Sequence, residues 1–278
     1  MRPYRPLLVV TPTLGTSPWL DRTVASVVSY AGEHALHILV APAPTHDDLR
    51  RRFPQCEVVA DTARTGVYAA INLGIAAAFS RPWDYFTWIN DDDAFAPGFK
   101  SHLETALGHA GKNEVWFYGG IRLLGPGDEN LGRLPISRFS SDIVPLAQLG
   151  INPLNQQGLL IPHAGLARIG SIREDMRICA DVDLWLRGLK DGASFRFTGK
   201  TVAEFRLRRG QISGDVGRHR QEFFVAAASI FPGRPSAPQA ALARARFRLG
   251  NAFVYVERLR RCGWRGGFDL LENPAPGP

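Results

Sequence analysis

Short apolar segments alternate with amphipathic ones over the first 120 residues of the chain. The short segments predict five β-strands, at Pro6–Thr11, His37–Ala41, Glu57–Ala60, Tyr85–Asn90 and Val115–Gly119. The amphipathic segments predict helices at Trp19–Tyr30, Gly66–Phe79 and Gly98–Ala110. Strands and helices that alternate in this way predict an α/β fold with a mixed, mainly parallel sheet flanked by helices.

The helix at 66–79 has apolar residues at a strict four-residue step, which predicts its buried stripe as Val67, Ile71, Ile75 and Phe79. The pattern then weakens between Arg122 and Gly158, where Gly, Pro, Asn and Ser are frequent. This composition predicts loops, and loops often carry substrate contacts.

Regular segments return in the second half of the chain. We expect strands at Leu159–Ile161, Phe195–Thr198 and Val202–Leu207, and helices at Ala164–Ile169, from near Asp181, at Gln221–Ile230 and at Gln239–Arg261.

Three adjacent aspartates, Asp91, Asp92 and Asp93, directly follow the predicted strand Tyr85–Asn90. Ligands of parallel sheets bind outside the carboxyl ends of the strands, and Asp61 follows another strand in the same way. Like charges in a partly desolvated site repel each other, so a cation is expected beside the triplet. Mg²⁺ and Mn²⁺ prefer oxygen ligands and also bind phosphate oxygens. The alternative is a polar turn ahead of the next helix.

Five motifs occur in an order that resembles family 2 glycosyltransferases with the GT-A fold. They are TPT at 11–13, GVYAAINLGIAAA at 66–78, WINDDD at 88–93, ICADVDLWLRGLKDG at 178–192 and FRLRRGQIS at 205–213. The resemblance implies a GT-A domain over 1–215, with a nucleotide-binding half at 1–120 and an acceptor and catalytic half at 121–215. Residues 216–278 are then a helical C-terminal extension.

The activity that the resemblance implies is metal-assisted transfer of a sugar, with inversion, from a nucleoside diphosphate sugar to a hydroxyl group. The acceptor would be a glycan, a polysaccharide or a lipid-linked molecule, and the metal Mn²⁺ or Mg²⁺. The resemblance assigns the metal to Asp93 and Asp91. It assigns the donor to Thr11, Pro12, Thr13, Asp61, Tyr68, Asn72, Asp91 and Asp92.

Asp181 matches the acidic residue that this family uses as the catalytic base at a helix start. A carboxylate there would accept the proton of the acceptor hydroxyl. Asp181 also suits a helix N-cap, and a helix N-terminus is expected to lower its pKa. Ala180 stands where the family often has another acidic residue, and Asn155-Gln156-Gln157 stands near a usual His-Gln.

The arginines of 205–213 are candidates for binding the diphosphate, because a guanidinium group suits phosphate oxygens. We predict this role for Arg208 and Arg209, against the alternative of a solvated basic turn. His219 is a weaker candidate for a third metal ligand.

Charge and composition narrow the remaining possibilities. The net charge of +7 comes largely from arginines late in the chain, and the basic amphipathic segment 244–261 predicts peripheral membrane contact, a docked helix or a dimer contact. Three scattered cysteines and the lack of a long apolar run favour a cytoplasmic protein, peripheral at most to the inner face of a membrane. Nucleic-acid binding would rest on charge alone and is not expected.

Two other functions are compatible with parts of the pattern. A non-catalytic nucleotide-sugar-binding protein on a decayed transferase fold would not need the intact aspartates. A sugar-1-phosphate nucleotidyltransferase should have a Gly-rich basic motif after the first strand, where this chain has TPTLGTSPW.

Overall fold

The first sheet of the protein contains five strands, in the order Glu57–Ala60, Ala35–Ala41, Leu7–Pro12, Tyr85–Trp88 and Ile161–Pro162. A computed structural model describes residues 4–62, 66–111 and 114–263. The strands of this sheet are β1 (Leu7–Pro12), β2 (Ala35–Ala41), β3 (Glu57–Ala60), β4 (Tyr85–Trp88) and β8 (Ile161–Pro162). The first four are parallel and β8 is antiparallel to β4, as expected for a mixed, mainly parallel sheet.

The second sheet has the strand order β5–β9–β6–β7. Its strands are β5 (Ala94–Phe95), β6 (Val115–Leu124), β7 (Asn130–Arg133) and β9 (Ser194–Arg206). The two strands predicted at 195–198 and 202–207 are therefore one strand. The pairing of β9 with β6 shifts register on either side of Gly120. Such an irregularity accommodates extra residues, so β9 continues as one strand although its apolar pattern is interrupted.

Helices cover the sheets on both faces and extend to the end of the described chain. They are α1 (Leu20–Tyr30), α2 (His46–Arg52), α3 (Val67–Ala78), α4 (Gly98–Leu107), α5 (Ile143–Gln148), α6 (His163–Ile169), α7 (Ala180–Lys190), α8 (Val216–Ile230), α9 (Ala237–Gly250) and α10 (Ala252–Cys262). The sequence pattern did not predict α2, or α5 and β7 within the segment expected to be loops.

Helix α3 buries a different stripe from the predicted one. Phe79 is 41% exposed, while Tyr68, Ile71, Gly74 and Ile75 are buried. A four-residue step advances 400° around a helix, so the predicted stripe drifts off the buried face by about 40° at each step. Gly74 lies so close to β1 that a Cβ atom there would be 2.6 Å from a methyl group of Val10.

Helix α8 belongs to the main core. Phe223, Ala226, Ala227 and Ile230 are buried in the same cluster as residues of β1, β4 and α7. The predicted extension from 216 onward is helical, but its first helix completes the domain that the prediction ended at 215. The helix predicted at 239–261 is divided at Asn251 into α9 and α10. Within the described ranges, no helix combines the length and the hydropathy of a membrane span.

Candidate active site

A cavity of about 370 Å³ opens where β1 and β4 end. Its walls come from the segments that follow these strands, from the first turns of α3 and α7, from the segment after β9 and from α8. The residues that line it and were predicted as site residues are Pro12, Tyr68, Asp91, Asp92, Asp181 and Arg208. The parallel strands of the first sheet therefore end at a ligand-sized cavity, as open α/β sheets generally do.

Asp91 is held in the wall by two side chains that follow β1. The hydroxyl of Thr13 donates a hydrogen bond to Oδ2 of Asp91 at 2.6 Å. The hydroxyl of Ser17 donates to the main-chain carbonyl of Asp91 at 2.8 Å. Burial raises the pKa of Asp91 to about 6, although the hydrogen bond from Thr13 lowers it.

Asp92 is paired with the arginine that follows β9. Nε of Arg208 donates to Oδ2 of Asp92 at 2.5 Å, and the Asp92 side chain is only 5% exposed. The guanidinium group of Arg208 is more than one-third exposed and also lines the cavity. One aspartate of the triplet therefore already has a cationic partner, contributed by a motif more than a hundred residues later in the chain.

Asp93, the predicted metal ligand, is 2% exposed and is not among the described residues that line the cavity. Its Oδ1 accepts a hydrogen bond from the main-chain N–H of Arg206 at 2.9 Å, and its Oδ2 accepts one from Gln157 at 3.2 Å. Burial, together with the charge of Asp92, raises its pKa well above the usual range. The side chain of Asp93 thus fastens β9 to the turn after β4, and the two aspartates before it face the cavity.

Arg206, the first arginine of its motif, is also structural. It is 1% exposed and donates to Asp128 at 2.5 Å and to the carbonyl of Gly125 at 3.0 Å. Its guanidinium group lies over the ring of Trp19, at 5.0 Å from the centroid. These contacts fix the loop that follows β6 against the end of β9.

Asp181 lies in the first turn of α7 and faces the cavity from the second half of the chain. Main-chain hydrogen bonds lower its pKa, but burial outweighs them and raises the pKa to about 6. The helix N-terminus therefore does not make Asp181 a weaker base, contrary to the expectation from sequence.

The N-terminus of α7 is bound by a carboxylate from α8. Glu222 accepts hydrogen bonds from the main-chain N–H groups of Arg177, Ile178 and Cys179, the shortest being 2.7 Å to Ile178. Cys179 is the N-cap residue of α7, and Arg177 and Ile178 precede it, so Glu222 binds the chain just ahead of the helix. Asp181 itself lies inside the first turn and is not the N-cap, and the negative charge of Glu222 helps to raise its pKa.

Tyr68 and Asn72 link α3 to the segment that leads into α7. The Tyr68 hydroxyl donates to the carbonyl of Ile178, and Tyr68 also lines the cavity. The Asn72 side chain donates to the carbonyl of Ile172 at 2.8 Å and accepts from its N–H at 3.0 Å. Asn72 therefore orders the wall of the site from behind it.

Three further predicted residues lie outside the described lining of the cavity. The Thr11 hydroxyl is buried and pairs with Nε2 of His37 at 2.9 Å. Asp61 follows β3, where its N–H donates to the carbonyl of Ala41. Arg209 is exposed, next to Arg208. The lining instead includes residues that the sequence did not single out, Asn152, Arg177, Gln211 and Ser213.

The oxygen-rich wall formed by Asp91 and Asp92 suits a hard divalent cation. Mg²⁺ is commonly held by one or two carboxylates, with water and substrate phosphates completing its coordination. The described residues contain no cluster of three or more His, Cys, Asp and Glu side chains that could enclose a metal on its own. Asp91 and Asp92 would hold such a cation by two carboxylates and would leave its other positions to water and phosphate oxygens.

Solved structures with the same architecture include crystal structures of TarS from S. aureus. Residues 1–349 of TarS in complex with UDP-GlcNAc match 95% of this chain and 81% of their own length, with a TM-score of 0.57 and 12% identity. The UDP complex matches 89% of this chain and 71% of its own length, with the same score and identity. This likeness confirms the predicted GT-A fold.

Sequence comparison gives relatives and a family. Proteins described as uncharacterized glycosyltransferases from Rickettsia typhi and Rickettsia prowazekii are each 23% identical over 161 residues, which is 57% of this chain and 49% of each relative. The chain thus spans about half the length of the curated relatives it matches. Residues 8–149, half of the chain, match the profile described as glycosyl transferase family 2. The protein belongs to glycosyl transferase family 2.

Proposed function

We propose that the protein is a glycosyltransferase that moves a sugar from a nucleoside diphosphate sugar to a hydroxyl group, with inversion at the anomeric carbon. The observation that carries this proposal is the meeting of Asp91, Asp92 and Asp181 on the walls of one cavity. The first two suit the diphosphate end of a donor, and Asp181 suits the acceptor. Because TarS was solved with UDP and UDP-GlcNAc, UDP sugars are the first donors to test.

Asp181 is the base in the proposed reaction. With a pKa of about 6 it is mostly deprotonated at pH 7, yet it still binds a proton more strongly than an exposed aspartate does. It takes the proton of the acceptor hydroxyl as that oxygen bonds to the anomeric carbon. The bond from the anomeric carbon to the phosphate oxygen breaks in the same displacement, so the configuration inverts.

The leaving diphosphate carries away the electrons of the broken bond, and positive charge in the cavity stabilises it. Arg177 and Arg208 supply such charge from the described walls. Asp91 and Asp92 would hold Mn²⁺ or Mg²⁺, which supplies further charge neutralisation when bound. We propose these two residues as metal ligands in place of Asp93, because both Asp93 oxygens are used in hydrogen bonds within the protein.

Neutral amide and hydroxyl side chains also line the cavity. Asn152, Asn155, Gln211 and Ser213 line it, and Oδ1 of Asn152 and Oγ of Ser213 are buried without a hydrogen-bond partner among the described residues. Unpaired buried polar atoms favour a ligand that can bond to them. A hydroxyl-rich acceptor, either a glycan or the sugar of a lipid-linked molecule, fits this lining.

The proposal is tested with Asp181→Asn in the full chain. We expect turnover of the active UDP sugar, measured as transfer and as slow hydrolysis to water, to fall at least about a hundredfold. Binding of UDP, measured by calorimetry, should stay near the wild-type value because Asp181 is not proposed to contact the donor. Turnover close to wild type in a folded Asp181→Asn protein would remove it as the base.

The same experiment separates the other two functions. A non-catalytic binding protein would bind the UDP sugar and show neither transfer nor hydrolysis in the wild type. A nucleotidyltransferase would instead release pyrophosphate from UTP and a sugar 1-phosphate.

A further inference from the structure

The outer face of α9 and α10 carries an apolar ridge. Leu249 is 77% exposed and Phe253 is 82% exposed, the highest values among the large apolar residues described. Leu242 and Val256 extend the ridge at 51% and 44% exposure. Exposed apolar residues that line up, rather than lie scattered, generally mark a surface that something covers.

Helical spacing aligns these residues within each helix: Leu242 and Leu249 are seven residues apart in α9, and Phe253 and Val256 are three residues apart in α10. The two helices meet at Asn251, whose N–H donates to the carbonyl of Phe247 and whose carbonyl accepts from the N–H of Tyr255. Leu249 and Phe253 thus lie two residues to either side of this junction. The opposite face is already used, since Ala243, Phe247, Val254 and Cys262 are buried against the domain.

Arginines accompany the ridge. Residues 237–263 contain six arginines and one acidic residue, Glu257, which is itself paired with Arg133 and Arg261. Arg244, Arg248 and Arg260 are exposed and form no ion pair among the described residues. Their long side chains can spread beside the apolar groups and keep their charges at a polar boundary.

We propose that the α9–α10 face docks on an anionic membrane surface, with Leu249 and Phe253 inserted between lipid head groups. An apolar ridge with flanking arginines fits both properties of that boundary, its apolar interior and its negative surface charge. A second copy of this chain would bring the same excess of arginines into contact, so charge disfavours a symmetric dimer here. The proposal does not depend on the reaction in the cavity.

The test is co-sedimentation of the 278-residue chain with vesicles of phosphatidylcholine alone or mixed with phosphatidylglycerol. We expect binding only to the mixed vesicles, weakening as salt is added because the surface potential is screened. Leu249→Ser/Phe253→Ser and Arg244→Glu/Arg248→Glu should each weaken the partition constant at least about tenfold. All four positions are exposed, so these variants should retain the wild-type melting temperature.

Matched controls change exposed residues outside α9 and α10. Val28→Ser changes an exposed apolar residue of α1, and Arg50→Glu/Arg51→Glu makes the same change in net charge on α2. Both controls should bind like the wild type. Equal binding of the α9–α10 variants and the controls, no binding to anionic vesicles, or a dimer that the ridge variants dissociate would each overturn the proposal. Because transfer of sugar is read separately, a failure here leaves the proposed reaction standing.

Discussion

Asp91, Asp92 and Asp93 have the same side chain but different surroundings. The sequence could predict that a carboxylate cluster follows β4, because the polar run directly after an apolar segment can be recognised from the sequence alone. It could not predict which aspartate faces the cavity, because that depends on the turn and on partners from distant segments. Arg208 holds Asp92, and the Arg206 main chain together with Gln157 holds Asp93.

These surroundings predict different outcomes for two neighbouring substitutions. Asp92→Ala should abolish the strengthening of UDP binding by Mn²⁺ and leave the melting temperature nearly unchanged. Asp93→Ala should keep the dependence on Mn²⁺ but lower the free energy of unfolding by about 1–3 kcal/mol, since it leaves the buried Arg206 N–H without its partner. Titration calorimetry with and without Mn²⁺, together with urea unfolding, measures both. If Asp93→Ala, and not Asp92→Ala, abolished the effect of Mn²⁺, Asp93 would be the metal ligand.

At the scale of elements, the decisive contact is between α8 and the start of α7. One carboxylate satisfies three N–H groups ahead of the helix that carries Asp181. No pattern in RHRQEFF marks Glu222 as different from any other charged helix residue, because its partners lie more than forty residues earlier. With Ala180 in place of an acidic residue, Glu222 is the nearby carboxylate that acts on Asp181.

This contact predicts the pH dependence of catalysis. Asp181 accepts a proton only when deprotonated, so turnover should rise as the pH increases through its pKa of about 6. Glu222→Gln removes a negative charge that raises this pKa, so the acidic limb should move to lower pH. Burial still raises the pKa, so the shift should be partial. The measurement is kcat against pH at saturating donor.

A purely structural role for Glu222 would give a different result. Turnover would then fall by the same factor at every pH and the limb would stay in place. Glu257→Gln, on α10 and away from the cavity, is the control for removing one surface carboxylate.

Most strands and helices were predictable because each buries one side and exposes the other. The errors have local causes. Helix α2 follows a proline-rich stretch that is typical of a turn. The two predicted halves of β9 are separated in sequence by residues 199–201, although one strand runs through them. The short strands β5 and β7 depend on pairing with β9 and β6, so their own sequences carry little signal.

For the whole molecule, the boundary expected at residue 215 divides a single core. The segment up to 215 lacks α8, which packs on α5 and α7 and whose Phe223 and Ile230 are buried in the main core cluster. Burial of each large apolar side chain contributes about 1.5–3 kcal/mol, and a domain of ordinary stability has only about 5–15 kcal/mol in total.

Two truncations test this boundary. A chain that ends at residue 235 should unfold cooperatively, at a lower temperature than the full chain, because it loses the buried hydrogen bonds of Asn251 to Ile136. A chain that ends at residue 215 should show no cooperative transition by circular dichroism. If the 215-residue chain unfolded cooperatively at the melting temperature of the 278-residue chain, 1–215 would instead be an independent domain.

The ion pair between Arg208 and Asp92 affects how a metal ion and the donor would bind. A divalent cation at the proposed site would compete with Arg208 for Oδ2 of Asp92, and a displaced Arg208 would be available to an anionic ligand. A cation that binds alone would break the ion pair of Asp92 with Arg208 for the contact that it makes. A cation that binds together with a diphosphate would give the displaced arginine a new partner. Donor and metal should therefore bind together. Arg208 should pair with Asp92 again once the nucleotide has left.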